Sequence, residues 1–327
     1  MKRIITILVA SVLVLTSCSK EELPTPNQVN VVVQTPEVTP NPPANIPDLG
    51  APTEAEFAAL PQWTNIPDNV MEQVLIDRGF DNILDGKVLT SKISKITGFD
   101  SNDGTIMGQY GRMFERKDIH DFTGIENFIS LQFISFWKCP ISTVNIRNLK
   151  RLKILGMSEC PITGTIDISQ NTQLEEIGFQ NAAERCDDPT YPFGKTLGLT
   201  SIDVSHNLKL KRIYLACNRI TSIDVSMLTN LEEIYLGGSA WQSYKVGGGN
   251  PIQRLDLSHN TKIRVVNVEA CNLNYLNVKN NGILDRCITI YNPNLNQILV
   301  DNASAMNAVA QNNPVTYRKD AHSVFVQ

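Results

Sequence analysis

Six hexads in one register constrain this chain more than any other feature. Leu131-Gln-Phe-Ile134-Ser-Phe136, Leu152-Lys-Ile-Leu155-Gly-Met157, Leu174-Glu-Glu-Ile177-Gly-Phe179, Leu210-Lys-Arg-Ile213-Tyr-Leu215, Leu231-Glu-Glu-Ile234-Tyr-Leu236 and Ile263-Arg-Val-Val266-Asn-Val268 follow one another at intervals of 21, 22, 36, 21 and 32 residues. A degenerate seventh copy is expected around Ile288-Thr-Ile290. Between the hexads runs a second series: Val144-Asn-Ile146, Ile166-Asp-Ile168, Ile202-Asp-Val204, Ile223-Asp-Val225, Leu255-Asp-Leu257, Leu276-Asn-Val278 and Ile298-Leu-Val300. The leading apolar residues Leu199, Leu210, Ile220 and Leu231 recur every 10 to 11 positions, which predicts two short strands per coil. Such a coil points its aliphatic residues inward and has nothing of its own to cover them, so it is stable only when stacked on neighbours.

The resulting pattern, LxxLxLxx(N/C)xLTxLxVS, resembles the short leucine-rich repeat of Bacteroidetes surface lipoproteins, related to internalin-type repeats. The stretch from Asp85 to Leu131, DGKVLTSKIS…DFTGIENFISL, is similar to the lead-in of those proteins. The resemblance implies a horseshoe-type, β-dominated leucine-rich-repeat solenoid with two parallel strand ladders, and it implies adhesion or ligand binding. On this reading residues 61–125 form a small helical N-terminal cap, 126–300 the repeats and 301–327 an irregular C-terminal cap. In the N-terminal cap, Pro67 fits the first turn of a helix. Val70, Met71, Val74 and Leu75 then line one helical face, and Gly79 closes it.

The N-terminus reads as an export signal spanning residues 1–17. Lys2 and Arg3 precede an apolar run from Ile4 to Leu15 that is shorter than the roughly 18 residues a spanning helix needs. Leu15-Thr16-Ser17-Cys18 resembles a bacterial lipobox, which implies lipidation of Cys18. An ordinary secretory signal cut near the same place is the alternative. Ser19 rather than Asp follows the cysteine, and Ser19-Lys20-Glu21-Glu22 resembles the acidic surface-export tag of Bacteroidetes lipoproteins, or is a solvated charge cluster. Residues 18–60, carrying Pro24, Pro26, Pro36, Pro40, Pro42, Pro43, Pro47 and Pro52, are expected to form an extended stalk reaching up to about 100 Å from the membrane. The expected location is the bacterial outer membrane, lipid-anchored and exposed at the cell surface.

Composition narrows the function classes. A formal net charge of −4 without a Lys/Arg-rich stripe argues against nucleic acid. The seven cysteines include no CxxC or CxxxC spacing, so no zinc site, and no cofactor, is expected. Cys139, Cys160 and Cys271 stand eight residues after the leading residue of their repeats, where Asn218 stands in another, and read as buried fillers of an inward turn. For Cys186 and Cys287 a disulfide is open. GxSxG, HExxH and a phosphate-binding glycine loop are all missing, His206 and His259 belong to equivalent Ser-His-Asn turns, and His120 and His322 stand alone in the caps, so an enzyme is not expected.

Two features point to recognition. Asp167, Asp203, Asp224 and Asp256 recur outward in the second series, each two residues before a serine: Ser169, Ser205, Ser226 and Ser258. They form a weak candidate cation ladder, or carboxylates satisfied by those hydroxyls. The repeats also expand at Gln180–Gly198 and Gly237–Pro251, both directly after a first strand, so both insertions should project from one rim. The insertions carry Tyr191, Phe193, Trp241 and Tyr244; the outward positions of the first ladder carry Phe133, Ser135, Trp137, Arg212, Tyr214, Glu233, Tyr235 and Tyr291. Exposed Tyr and Trp bury much area for little entropy, which makes this face the expected ligand site unless the aromatics only pack the insertions down. A protein partner is the expected ligand, with a glycan stacked on Trp137, Trp241 and the tyrosines as the alternative.

Overall fold

The computed structural model describes residues 46–100, 119–137, 139–181, 198–238 and 249–327, and at 99, 100 and 137 the backbone alone. Before the repeats come α1 (Glu54–Ala58), β1 (Trp63–Asn65), α2 (Asn69–Asp77), β2 (Lys87–Leu89), α3 (Thr90–Ile93) and β3 (Gly98–Asp100). Helix α2 lies where the apolar spacing predicts it, but Pro67 precedes the N-cap, Asp68. One Asp68 oxygen accepts from Val70 and Met71 at 3.0 and 2.9 Å. The other accepts from His120 and Asp121 at 2.7 and 3.1 Å, so one carboxylate caps the helix and anchors the chain entering the first coil. Gly124, at φ 99°, sits where a Cβ would fall 2.4 Å from the Asn65 carbonyl; only glycine fits this turn.

The first strands of the coils are β4 (Phe133–Trp137), β5 (Ile154–Ser158), β7 (Glu176–Gly178), β9 (Arg212–Tyr214), β10 (Glu233–Tyr235), β12 (Val265–Asn267) and β14 (Arg286–Ile288). With β3 and β16 (Tyr317–Arg318) they build one parallel nine-stranded sheet in the order β16-β14-β12-β10-β9-β7-β5-β4-β3. The register aligns Ile134, Leu155, Ile177, Ile213, Ile234, Val266 and Cys287 in one inward row, all 0 to 2% exposed. One continuous core runs from Ile66 to Phe325. A coil buries four aliphatic residues such as Leu210, Ile213, Leu215 and Ile220, worth roughly 6–12 kcal/mol at 1.5–3 each, and only because its neighbours cover them. The chain is a leucine-rich-repeat solenoid.

The second series forms strands in part of its length only. Strands β11 (Arg254–Asp256), β13 (Tyr275–Asn277), β15 (Gln297–Leu299) and β17 (Val324–Val326) make a parallel four-stranded sheet. Short β6 (Thr163–Gly164) and β8 (Gly198–Leu199) pair separately. Segments 144–146, 166–168, 202–204 and 223–225 bury Ile146, Ile168, Val204 and Val225 as expected, yet form no ladder. Asparagines take its place. Asn171 donates to the carbonyls of Ile146 and Leu149, Asn207 to Ile168 and Asn171, and Asn260 to Val225 and Leu228, all at 2.7 to 3.0 Å.

The seventh coil corrects a register. Its hexad is Leu284-Asp-Arg-Cys287-Ile-Thr289, with Cys287 in the inward row, so the expected copy at Ile288-Thr-Ile290 is displaced by one. A cysteine filling an aliphatic position is invisible to a search for Leu, Ile and Val. The C-terminal cap is more regular than expected. Helix α4 (Ala303–Asn312) buries Met306, and β16 and β17 extend both sheets through backbone pairing, which needs no side-chain register.

The expected stalk also ends earlier. Residues 46–60 carry α1 and lie against the coils: Arg151 Nε donates to the Gly50 carbonyl at 2.6 Å, and its Nη1 and Nη2 each lie 2.9 Å from a Glu56 oxygen. Gln173 Nε2 donates to the Pro47 carbonyl at 3.1 Å, Leu49 N to Gln173 Oε1 at 3.3 Å, and Lys209 pairs with Asp48 at 2.5 Å. Each of these coil residues stands one before a leading leucine, so they form a column. This strap is held by polar contacts, which a composition poor in core residues does not reveal. Among the described residues no helix is long and apolar enough to cross a membrane.

Candidate recognition face

Strand alternation places two outward rows on the nine-stranded sheet. The first row runs Phe133, Ile154, Glu176, Arg212, Glu233, Val265, Arg286; the second runs Ser135, Gly156, Gly178, Tyr214, Tyr235, Asn267, Ile288, Arg318. Four of the sequence-predicted residues, Arg212, Tyr214, Glu233 and Tyr235, therefore lie together on adjacent rungs, and a fifth, Phe133, stands three strands away on the same face. Their geometry is built. Arg212 Nε donates to Glu176 Oε2 at 2.6 Å, Tyr214 OH donates to Glu233 Oε2 at 3.0 Å, and the Tyr214 and Tyr235 rings lie 5.1 Å apart with planes tilted by 41°. Glu176, Arg212, Tyr214, Glu233 and Tyr235 are all half-buried.

The electrostatics suit hydrogen bonding rather than proton transfer. Burial, then Glu233 and Glu176, push the Tyr214 phenol far above its usual range; burial and Glu233 raise Tyr235. Both phenols stay neutral across physiological pH and present a polar tip on a flat apolar ring.

Sequence reasoning passed over Gly156, Gly178 and Glu176. A Cβ built at Gly156 meets atoms no nearer than 3.7 Å and one at Gly178 none nearer than 3.8 Å, so packing does not demand these glycines. They leave a strip of bare sheet between Ser135 and Tyr214, and the same hexad position that supplies Tyr214 and Tyr235 would have revealed it. One residue ahead of each strand, Lys153, Glu175, Lys211, Glu232, Arg264 and Asp285 alternate in sign. Lys211 pairs with Glu175 at 2.7 Å, partly buried, and Arg264 with Asp285 at 2.5 Å, exposed; at the edge of solvent such pairs set a solvated margin more than they add stability.

Other expected site residues fall elsewhere. Tyr291 is a turn residue in the left-handed region at φ 60°, not an outward rung, because the seventh register is displaced; Arg286 and Ile288 hold the rungs. Glu159, Cys217, Ala270 and Tyr291, each preceding an inward Cys or Asn, share this conformation at φ 55 to 60°. The side chain of Trp137, and Tyr191, Phe193, Trp241, Tyr244, Cys18 and Cys186, lie outside the described residues. The stems of both insertions are equivalent. Phe179 N donates to Tyr214 O and Asn181 N to Ala216 O at 2.8 and 3.0 Å; Leu236 N donates to Asn267 O and Gly238 N to Glu269 O, both at 2.8 Å.

The aspartate column closes turns. Ser169, Ser205, Ser226 and Ser258 donate backbone N–H groups to Asp167, Asp203, Asp224 and Asp256 at 2.9 to 3.0 Å, and Ser169 and Ser258 add their hydroxyls. Ser169 and Arg147 hold the Asp167 carboxyl at about 2. Cys139, Cys160, Cys217, Cys271 and Cys287 are buried and take part in no disulfide among the described residues. Burial pushes Cys271 and Cys287 up, and a hydrogen bond with Cys139 together with burial does so for Cys160.

No protein-family model matches the chain, and no curated protein matches it. Among solved structures the chain is similar to an internalin, InlF, of Listeria monocytogenes, at 16% identity over 80% of this chain and 71% of that one, with a TM-score of 0.42. It is similar to internalin C2 of the same organism at 15% identity over 66% and 88%, TM-score 0.41. A leucine-rich-repeat protein of Leptospira interrogans follows at 17% identity over 60% and 62%, TM-score 0.30. At these values the likenesses decide nothing about this chain's partner, and its fold rests on its own strand ladders.

Proposed function

We propose that this chain is a surface-displayed binding module, anchored through a lipid on Cys18, that recognises a partner protein with the outward face of its nine-stranded sheet. The observation that carries the reading is the Tyr214–Tyr235 pair, half-buried and braced by Glu233, beside the bare strip at Gly156 and Gly178. Preorganised aromatic rings next to accessible backbone offer area and hydrogen bonds at small entropic cost, the composition of interface hot spots. The face brings together phenols that stay neutral and carboxylates already engaged by Arg212 and Tyr214, which suits binding rather than catalysis. The full chain would be tested for binding to arrays of surface proteins and of glycans, beside a Tyr214→Ala/Tyr235→Ala variant and a Gly178→Arg variant. Loss of a protein signal in both variants at unchanged melting temperature supports the reading. Binding that survives both refutes the face, and a signal confined to glycans refutes the partner class.

A further inference from the structure

Outside the recognition face, the N-terminal cap holds a group of carboxylates that the fold alone leaves unfinished. Glu72 lies in the first turn of α2 and is 0% exposed. Its Oε1 accepts three backbone N–H groups from the following loop, those of Asp85, Gly86 and Lys87, at 3.0, 2.8 and 3.0 Å. Its Oε2 is buried and has no partner among the described residues. Asp81 repeats the arrangement: Oδ1 accepts from Asn82 N at 2.9 Å, and Oδ2 is buried with no partner among the described residues. Asp85 closes the group from the exposed side, and one oxygen from each of Glu72, Asp81 and Asp85 lies within 4.8 Å of the others.

Two buried carboxylate oxygens without a partner are costly because each has lost its water, and carboxylates grouped this closely repel one another. Lys87 lies 3.5 Å from an oxygen of the exposed Asp85 and extends over the Trp63 ring at 5.4 Å, so it balances that carboxylate. We propose that Glu72, Asp81 and Asp85 bind a calcium ion. The donor set is all carboxylate oxygen, which selects a hard cation over zinc. Two oxygens bound to one calcium at about 2.3–2.6 Å stand no more than about 5 Å apart, and this group meets that limit. The graded burial, from enclosed Glu72 to exposed Asp85, leaves an open side where water completes the six to eight ligands calcium takes. The four aspartates of the repeat column, by contrast, are absent from the acidic groups close enough to share an ion among the described residues. Bound calcium would staple α2 to the loop that leads into β2, holding shut the cap that covers the first coil.

The full chain, freed of metal with a chelator, would be titrated with calcium chloride by calorimetry and melted with and without calcium. One site per chain with a Kd on the order of 10⁻⁴ to 10⁻³ M, the range of extracellular calcium modules, and a melting point raised by a few degrees are expected. Asp81→Asn and Asp85→Asn change the more exposed ligands and leave the buried Glu72 hydrogen bonds intact, and each should weaken binding at least tenfold. Wild type that takes up no calcium overturns the proposal. So does calcium binding that both variants retain, or an equal response to magnesium.

Discussion

Replacing Asn292 by alanine tests how the coils are locked together. Asn292 is 0% exposed; its Oδ1 accepts from Leu273 N at 2.8 Å, and its Nδ2 donates to Val268 O and Thr289 O, both at 2.8 Å. One amide thus joins two successive coils and satisfies a buried N–H and two buried carbonyls. Asn218 does the same with Leu199 N, Phe179 O and Leu215 O, and Asn250 with Ile220 N, Leu215 O and Leu236 O. Alanine removes these bonds together with the longer one from Nδ2 to Ile290 O at 3.3 Å. At about 1–3 kcal/mol for the orphaned N–H and about 1 for each carbonyl, which has a second lone pair, Asn292→Ala should lose roughly 3–5 kcal/mol. Asn292→Cys imitates another coil of the same stack, where Cys160 Sγ lies 3.7 Å from Ser158 O and 4.0 Å from Phe136 O. It restores weak donation and no acceptor, so about half the loss should return. Urea unfolding followed by circular dichroism, with hydrogen exchange at the Leu273 amide as the local readout, measures both. A loss below about 1 kcal/mol, or unchanged protection of Leu273, would refute the reasoning.

Two further outcomes are expected. Arg151 and then Thr53 hold the Glu56 carboxyl at about 2, below its ordinary 4.5. A lowered folded-state value means that docking of the strap is fully present above pH 4.5 and is lost as the pH falls toward 2; proteolysis by an acid-active protease should cut residues 46–60 in that window, and Glu56→Gln should reduce the pH dependence to the part carried by Asp48, whose carboxyl Lys209 also holds low. Labelled fatty acid should enter the wild-type chain in a bacterial host and fail to enter Cys18→Ser, and incorporation into that variant would disprove the assignment of the anchor.

The hexads made the inward rows legible because apolar periodicity and burial are the same physical fact. What they left out follows from what a periodicity search ignores. Cys287 fills an aliphatic socket, so the seventh register slipped and carried Tyr291 onto the wrong surface. The strap is held by Arg151, Gln173 and Lys209, whose meaning appears only when the coils are stacked. Gly156 and Gly178 matter for the side chains they lack. Glu72 sits within the apolar stripe of α2 and would be read there as a surface residue, although the fold encloses it completely. On the recognition face, Arg212, Tyr214, Glu233 and Tyr235 were legible because strand alternation sends polar and aromatic residues outward.

Both insertions depart only after the backbone has handed two N–H groups to the next coil, at Phe179 and Asn181 in one case and Leu236 and Gly238 in the other. The hydrogen bonds that join neighbouring coils at these stems are therefore complete before the added sequence begins, so a change of loop length beyond those points need not break them.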